Sequence, residues 1–189
     1  MKFFLDLGSN IGSDLYVYKD FLNITPDWKV KCYEISPGCI SCLNFNKINF
    51  PAFQGLDIDV RHRAVWMSSD IIEFFQFNPH SPKNNVTGKG QPSGHVQADD
   101  ILTIINECVL EGCTEFYIKV DIEYSEFPVL YRLLESKHLS KIKTIYVNWN
   151  ENYFEQETKD TIDLKLNLTR ELSIRGVKVC PMFMDRKKS

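Results

Sequence analysis

Short apolar runs alternate with segments of helical periodicity along almost the whole chain, and this alternation constrains the fold more than any other feature. The predicted strands cover residues 2–7, 29–35, 60–67, 71–77, 115–122, 142–149 and 177–183. The predicted helices cover residues 13–24, 37–47, 98–110, 125–138 and 155–175. Strands that alternate with helices of this length predict an α/β fold with a mostly parallel, doubly wound sheet and helices on both faces. The 189 residues fit a single domain, residues 1–189.

Residues 78–95 interrupt this alternation. The stretch contains three prolines, three glycines and one apolar residue. A segment of this length and composition inside a compact domain is typically a lid or a disordered loop, and we predict a flexible loop here. Its two histidines, His80 and His95, are candidate contacts for a substrate, with plain solvation as the alternative.

Composition and charge exclude several classes of protein. The net charge is −3 and the only basic cluster lies at the C-terminus, which argues against a nucleic-acid partner. No apolar run reaches the roughly 18 residues that span a bilayer, and the N-terminus lacks the layout of a signal peptide. We therefore expect a soluble, cytoplasmic protein whose six cysteines are free thiols. Cys39 and Cys42 have C-x-x-C spacing, but no matched second pair accompanies them, so no metal is expected.

The turn after the first predicted strand has the composition of a ligand-binding turn. The segment DLGSNIG places Asp6 at the strand end and Gly8, Asn10 and Gly12 at alternate positions after it. Glycine and asparagine tolerate positive φ, so this turn can bring its backbone close to a ligand at the carboxyl end of the strand. The spacing is not the dinucleotide fingerprint G-x-G-x-x-G. An acid at this place would repel a pyrophosphate and attract an ammonium group, which indicates an amino-acid-bearing cofactor such as S-adenosylmethionine.

The second predicted strand ends in another acid. Glu34 follows Asp6 by 28 residues, and an acid at this place can accept hydrogen bonds from both hydroxyls of a ribose. The alternative for Glu34 is a surface carboxylate that stabilises the N-terminus of the next helix. Taken with the glycine turn, the ribose interpretation is favoured.

Four segments together resemble the FkbM-type S-adenosylmethionine-dependent methyltransferases. They are DLGSNIG, YEISP, RAVW and IKVDIEYSEFPVL, in the order and spacing of that family. The resemblance implies a Rossmann-like class I methyltransferase fold and O-methylation, often of a sugar or glycan hydroxyl.

The resemblance also implies roles for individual residues. The positions that would hold the methionine end of the cofactor are Asp6, Gly8, Ser9, Asn10 and Gly12. The positions that would hold its ribose and adenine are Glu34, Ile35, Ala64 and Val65. Asp121 and Glu123 would line the site of methyl transfer.

Two places depart from the family pattern. Tyr124 stands where the family usually has glycine, and a bulky residue there would narrow the site or stack on an acceptor ring. The segment Asn148-Trp149-Asn150 stands where the family often has an acid and a histidine. Tyr124 and Trp149 are therefore candidate substrate contacts, with core packing as the alternative for Trp149.

A sugar hydroxyl is a poor nucleophile until its proton is shared, so a general base is expected. Asp121 is the first candidate and Glu123 the second, and capping of the following helix is the alternative role for both. The leading interpretation is an O-methyltransferase that acts on a carbohydrate acceptor, either a glycan or a nucleotide-sugar. Two alternatives stay open: a methyltransferase for nucleic acid or protein, and a catalytically degenerate fold that serves as a binding module.

Overall fold

The computed structural model describes residues 1–76, 84–88, 90–149 and 159–182. The strands are β1 (Lys2–Leu7), β2 (Lys29–Glu34), β3 (Asp57–His62), β4 (Ala64–Trp66), β5 (Ile71–Gln76), β6 (Asn84–Asn85), β7 (Gln91–Asp100), β8 (Glu115–Val120), β9 (Ile142–Val147) and β10 (Lys178–Pro181). The α-helices are α1 (Ser13–Phe21), α2 (Pro37–Asn49), α3 (Ile101–Leu110), α4 (Glu126–Leu133) and α5 (Lys159–Ile174).

Six strands form one sheet in the order β10-β9-β8-β1-β2-β3, and all neighbouring pairs are parallel. The predicted parallel sheet is confirmed. The chain builds outward from β1 through β2 to β3 and then returns to place β8 on the other side of β1. This reversal creates a topological switch point between β1 and β8, and in open α/β sheets ligands bind outside the carboxyl ends of the strands at such a point.

The side chains of β1 alternate between the two faces of the sheet, as the period of a strand requires. Phe3, Leu5 and Leu7 belong to one buried cluster, which also contains residues of α3, α4 and α5. Phe4 belongs to a second cluster, which also contains Leu15 of α1 and Leu43 of α2. Helices therefore cover both faces of the sheet, which explains why β1 has no exposed polar face.

Residues 60–67 do not form one strand, as we predicted they would. Arg63 separates β3 from β4, and its N–H is directed to the carbonyl oxygens of Arg61 at 3.0 Å and Glu34 at 3.1 Å. β3 remains at the edge of the parallel sheet, whereas β4 joins a second sheet of order β4-β7-β5-β6. The bend at Arg63 is accompanied by a hydrogen bond to β2, which the apolar pattern of the segment does not reveal.

The loop predicted over residues 78–95 is wrong from residue 91 onward, and the helix predicted over residues 98–110 begins only at Ile101. Residues 91–100 form β7, which pairs antiparallel with β5, so His95 lies on a strand opposite Glu73. The proline, glycine and polar side chains of residues 91–100 predict a loop. The hydrogen bonds between β7 and β5 outweigh this local preference. Residues 77–83, with His80, lie outside the described residues.

Of the predicted last helix, residues 159–174 are helical, and residues 150–158 lie outside the described part of the chain. β10 follows α5 and extends the sheet beside β9. No helix within the described ranges combines the length and the apolar character needed to cross a bilayer.

Candidate active site

A cavity of about 540 Å³ lies at the switch point of the parallel sheet. Such a volume is in the range of small-molecule sites, which is about 300–1,000 Å³. Most of its wall comes from the residues that follow β1, β2, β8 and β9, with further residues from β4 and the β6 region. The lining residues are Gly8, Ser9, Asn10, Ile11, Ser13, Asp14, Tyr33, Glu34, Ile35, Cys39, Arg63, Ala64, Val65, Asn85, Val86, Asp121, Ile122, Glu123, Ser125 and Asn148.

The turn between β1 and α1 has the positive φ angles that its sequence predicts. Gly8, Asn10 and Gly12 have φ values of 79°, 49° and 89°. A Cβ at Gly8 would lie 1.8 Å from the carbonyl oxygen of Asp121, so only glycine fits against the end of β8. The turn is also held to β2, because the N–H groups of Gly8 and Ser9 both donate to the Tyr33 carbonyl.

Gly12 serves the turn without lining the cavity. Its N–H donates to the Ser9 carbonyl at 2.9 Å, and an added Cβ would lie 2.7 Å from Leu43 on α2. Gly12 thus allows close packing where the chain enters α1. We predicted that it would contact the cofactor, but it is not part of the cavity lining.

Glu34 is buried at the end of β2 and faces the cavity. Its Oε1 accepts the N–H groups of Ile35 at 2.9 Å and Ser36 at 2.8 Å, and its Oε2 accepts the N–H of Asn10 at 2.8 Å. Burial raises the pKa of Glu34, and these three N–H groups oppose that shift. A carboxylate has about four acceptor positions, so one position is left on Oε2 for a ligand hydroxyl.

Asp6 is buried away from the cavity. Its register partner on the neighbouring strand is Lys119, whose Nζ lies 3.2 Å from Asp6 Oδ1. The same Nζ lies 3.1 Å from Asp14 Oδ2 and donates to the Gly8 carbonyl at 2.6 Å. Lys119 thus joins β8 to the glycine turn and to the first turn of α1.

The electrostatics of this cluster follow from its burial. Burial raises the pKa of Asp6 to about 6, although the attraction of Lys119 lowers it. Burial acts to lower the pKa of Lys119, but the carboxylates of Asp6 and Asp14 raise it above its usual value. One buried ammonium is shared by two carboxylates, and Asp6 is the more deeply buried of the two.

The structure does not bring the Asp6 side chain to the cavity, where we predicted its contact with the cofactor ammonium. The Asp6 side chain is 0% exposed and is not part of the cavity lining. The alternation of β1 turns Asp6 to the face that carries Phe4, and Lys119 pairs with it there. Asp14 lines the cavity instead, although the sequence analysis did not select it.

Asp121 and Glu123 both line the cavity beyond the end of β8. Asn148, which follows β9, donates from Nδ2 to Asp121 Oδ1 at 3.0 Å. Glu123 and Tyr124 have φ values of 43° and 72°, so the chain reaches α4 through two consecutive left-handed residues. Positive φ at non-glycine residues costs energy and is concentrated at functional sites.

Three predicted substrate contacts are not part of the cavity lining. Tyr124 is half-buried but lies outside the wall, and His95 is exposed on β7. Trp149 packs against the core with its ring 4.9 Å from that of Phe127. Core packing, the alternative that we considered for Trp149, is what the structure shows.

Several cavity residues were not among the site residues predicted from the sequence. The most informative are Asp14, Arg63, Asn85 and Asn148. Among the described residues, four carboxylates line the cavity and Arg63 is the one cation there. Arg63 directly precedes the predicted adenine position and Asp14 opens a helix after the glycine turn, so both had a detectable signal; Asn85, in the segment predicted as a loop, had none.

Within the described residues, no group of three or more His, Cys, Asp or Glu side chains is arranged to hold a metal ion. All six cysteines are free thiols, as predicted.

The switch-point cavity and the parallel sheet with helices on both faces define a Rossmann-like α/β fold. The structure matches the crystal structure of methyltransferase FkbM from Methylobacillus flagellatus KT with a TM-score of 0.54 and 17% sequence identity. The match covers 90% of this chain and 38% of the FkbM chain, so this chain spans well under half the length of that protein. No family model matches the sequence, and no curated protein matches it. The resemblance noted in the sequence is thus confirmed at the level of the fold.

The cavity fits S-adenosylmethionine in its chemistry. Ala64, Val65 and Ile35 provide apolar surface of the kind that a nucleobase needs. Glu34 has one acceptor position left for a ribose hydroxyl. The other lining carboxylates, Asp14, Asp121 and Glu123, outnumber the single cation of the described lining. This excess of negative charge suits a ligand with an ammonium and a sulfonium.

Proposed function

We propose that this chain is an S-adenosylmethionine-dependent methyltransferase that methylates a hydroxyl of a carbohydrate. One observation carries the proposal: a cavity at the switch point combines a buried ribose-type acceptor, an apolar wall and an excess of carboxylates. A dinucleotide would bring a pyrophosphate to this acidic lining, and its charge would be repelled. The likeness of the fold to a methyltransferase supports the same assignment.

The proposed cofactor contacts are made by residues that line the cavity. The backbone of Gly8, Ser9 and Asn10 lies against the methionine end, and Asp14 replaces Asp6 as the carboxylate nearest the ammonium. Glu34 accepts one ribose hydroxyl at Oε2, and its bonds to backbone N–H groups hold it in place for that contact. When bound, the cofactor supplies a methyl group activated by an adjacent positive charge.

Asp121 is the proposed general base, with Glu123 as the second candidate. Both carboxylates line the cavity at the end of a central strand, where a hydroxyl beside the methyl donor would meet them. Asp121 accepts the proton as the hydroxyl oxygen attacks, and a general base of this kind contributes about 10²–10⁴-fold to the rate. The rest of the acceleration comes from holding the acceptor in line with the donor, for which a half-enclosed cavity is suited.

The proposed acceptor is a glycan or a nucleotide-sugar. The family resemblance in the sequence supports a carbohydrate, and the hydroxyl, amide and carboxylate groups of Ser125, Asn148 and Asp121 are suited to sugar hydroxyls. Trp149, a candidate substrate contact in the sequence, is not part of this proposal, because its ring packs against the core.

Calorimetry tests cofactor binding. We expect S-adenosylmethionine and its demethylated product to bind, because both carry an ammonium group that the cavity carboxylates attract. We expect NAD not to bind, because the same carboxylates repel its pyrophosphate. Binding of NAD without binding of S-adenosylmethionine would exclude the proposed function.

Transfer assays with methyl-labelled S-adenosylmethionine test the acceptor class. Glycans, nucleotide-sugars, RNA and peptides are compared with and without Mg²⁺, and label is expected in the carbohydrates. Label in RNA or peptide would replace the carbohydrate proposal, and cofactor binding with no transfer would favour the degenerate binding module. Asp121→Asn is expected to lower turnover far more than cofactor affinity; if Glu123→Gln does so instead, Glu123 is the base.

A further inference from the structure

We propose that Asn148 is a positioning residue that orients Asp121 for proton abstraction. The inference rests on the proposed function, because it assigns a partner to the proposed general base. It also explains a departure from the family pattern, since Asn148 stands where an acid is often found.

The two residues are neighbours by strand register. Val120 of β8 pairs with Val147 of β9, so Asp121 and Asn148 are the next residues on adjacent parallel strands. The ladder continues past them, because the Asn148 N–H donates to the Val120 carbonyl at 2.9 Å. Both side chains line the same cavity, and Asn148 Nδ2 donates to Asp121 Oδ1 at 3.0 Å.

The backbone of Asp121 is also fixed by contacts with β1 and with the turn that follows it. Its N–H donates to the Leu7 carbonyl at 3.0 Å, and the absent side chain of Gly8 allows the turn to pack against its carbonyl oxygen. With the main chain held by β1, the remaining freedom of Asp121 is rotation of its side chain. The amide of Asn148 restricts that rotation, which is the property that a precisely aimed base requires.

An amide suits this role better than the acid that the family pattern would place here. A side-chain amide donates to an ionised carboxylate without adding charge and without competing for the proton that the base must accept. Two carboxylates about 3 Å apart cannot both stay ionised, so one of them would hold a proton. The asparagine therefore orients Asp121 without placing a second acid at this position.

The first test measures the ligand-free protein and does not depend on activity. The carboxyl carbon of Asp121 is followed by NMR across pH and identified by its loss in Asp121→Asn. In Asn148→Ala, Asp121 is expected to take up its proton at higher pH than in the wild type, and in Asn148→Asp uptake is expected in two coupled steps. Asn44→Asp, which adds the same charge on the exposed side of α2, is the matched control and is expected to leave the titration unchanged.

The second test measures kcat against pH with the acceptor found above. Asn148→Ala is expected to lower kcat by about ten- to a hundredfold, part of what a general base supplies, with little change in KM for the cofactor. In Asn148→Asp the acid limb of the profile is expected to move to higher pH.

The outcomes separate the inference from the proposed function. If Asp121 titrates identically in wild type and Asn148→Ala, the inference is wrong, even where the variant is less stable. If no acceptor is methylated by the wild type, the proposed function fails while the NMR titration still decides whether Asn148 acts on Asp121.

Discussion

Replacing Asp6 by asparagine is expected to change how the stability of this protein depends on pH. Asp6 is 0% exposed, and its carboxylate shares the ammonium of Lys119 with Asp14. Burial raises the pKa of Asp6 to about 6, against the lowering effect of Lys119. The ordinary value, 3.8, applies to the unfolded chain.

The sign of the effect follows from proton binding. Between these two pKa values the folded state holds a proton on Asp6 that the unfolded state has released, so the stability that Asp6 contributes is present below about pH 4 and is lost as the pH rises through about 6. A difference of about two pKa units, at about 1.4 kcal/mol per unit, corresponds to about 3 kcal/mol. That is a large part of the roughly 5–15 kcal/mol by which a domain is stable.

Urea unfolding of wild type and Asp6→Asn between pH 4 and pH 7.5 measures this quantity. Because the amide does not titrate, the variant is expected to gain about 3 kcal/mol relative to the wild type across that range. Equal m values in the two proteins show that the unfolding reaction is the same. Asp57→Asn, at an exposed carboxylate that begins β3, is the matched control and is expected to show a much smaller change.

A constant difference between wild type and Asp6→Asn over the whole range would refute the reasoning, because it would mean that attraction to Lys119 cancels the cost of burial. A difference that falls as pH rises would mean that the ion pair outweighs burial. The same variant is expected to bind S-adenosylmethionine with nearly wild-type affinity, because Asp6 does not line the cavity. A large loss of affinity would mean that Asp6 acts on the cofactor site, either by direct contact or through Lys119 and Asp14.

Three further substitutions test the turn, the ribose contact and the strained approach to α4. Gly8→Ala is expected to destabilise the protein by about 1–3 kcal/mol more than Gly176→Ala in urea unfolding, because both have positive φ but only the first would meet backbone, at Asp121; equal losses would contradict this. Glu34→Gln is expected to weaken S-adenosylmethionine binding by calorimetry about ten- to a hundredfold, the worth of one charged hydrogen bond, and unchanged affinity would exclude the ribose role. Tyr124→Gly is expected to be about 1 kcal/mol more stable than Tyr124→Ala, because φ is 72° there, and the opposite order would show that the backbone is not strained.

The structure shows why Glu34→Gln is a more informative substitution than Glu34→Ala. Glu34→Ala would leave the N–H groups of Asn10, Ile35 and Ser36 without their acceptor, and each buried donor left unsatisfied costs about 1–3 kcal/mol. Loss of binding in that variant would not separate ribose recognition from local unfolding. Glutamine keeps an oxygen for two of the three donors, so it disturbs the local structure less than alanine does.

Much of the fold and part of the site could be predicted because they depend on local pattern. The apolar run of β1 predicts a strand buried on both faces, and the spacing of Gly8, Asn10 and Gly12 predicts a turn with positive φ. Glu34 at the end of the next strand was expected at the cavity, because the carboxyl ends of parallel strands meet at one edge of the sheet.

Partners that are distant along the chain could not be predicted in this way. Lys119 meets Asp6 only because β8 inserts beside β1, and the order of strands in a parallel sheet leaves no mark on the periodicity of any one strand. For the same reason Asn148 was found beside Asp121 only when β9 was placed next to β8, and residues 91–100 became a strand only through their ladder with β5. Local sequence sets backbone preference and burial, whereas the pairing of charges and of strand edges is set by which elements pack together.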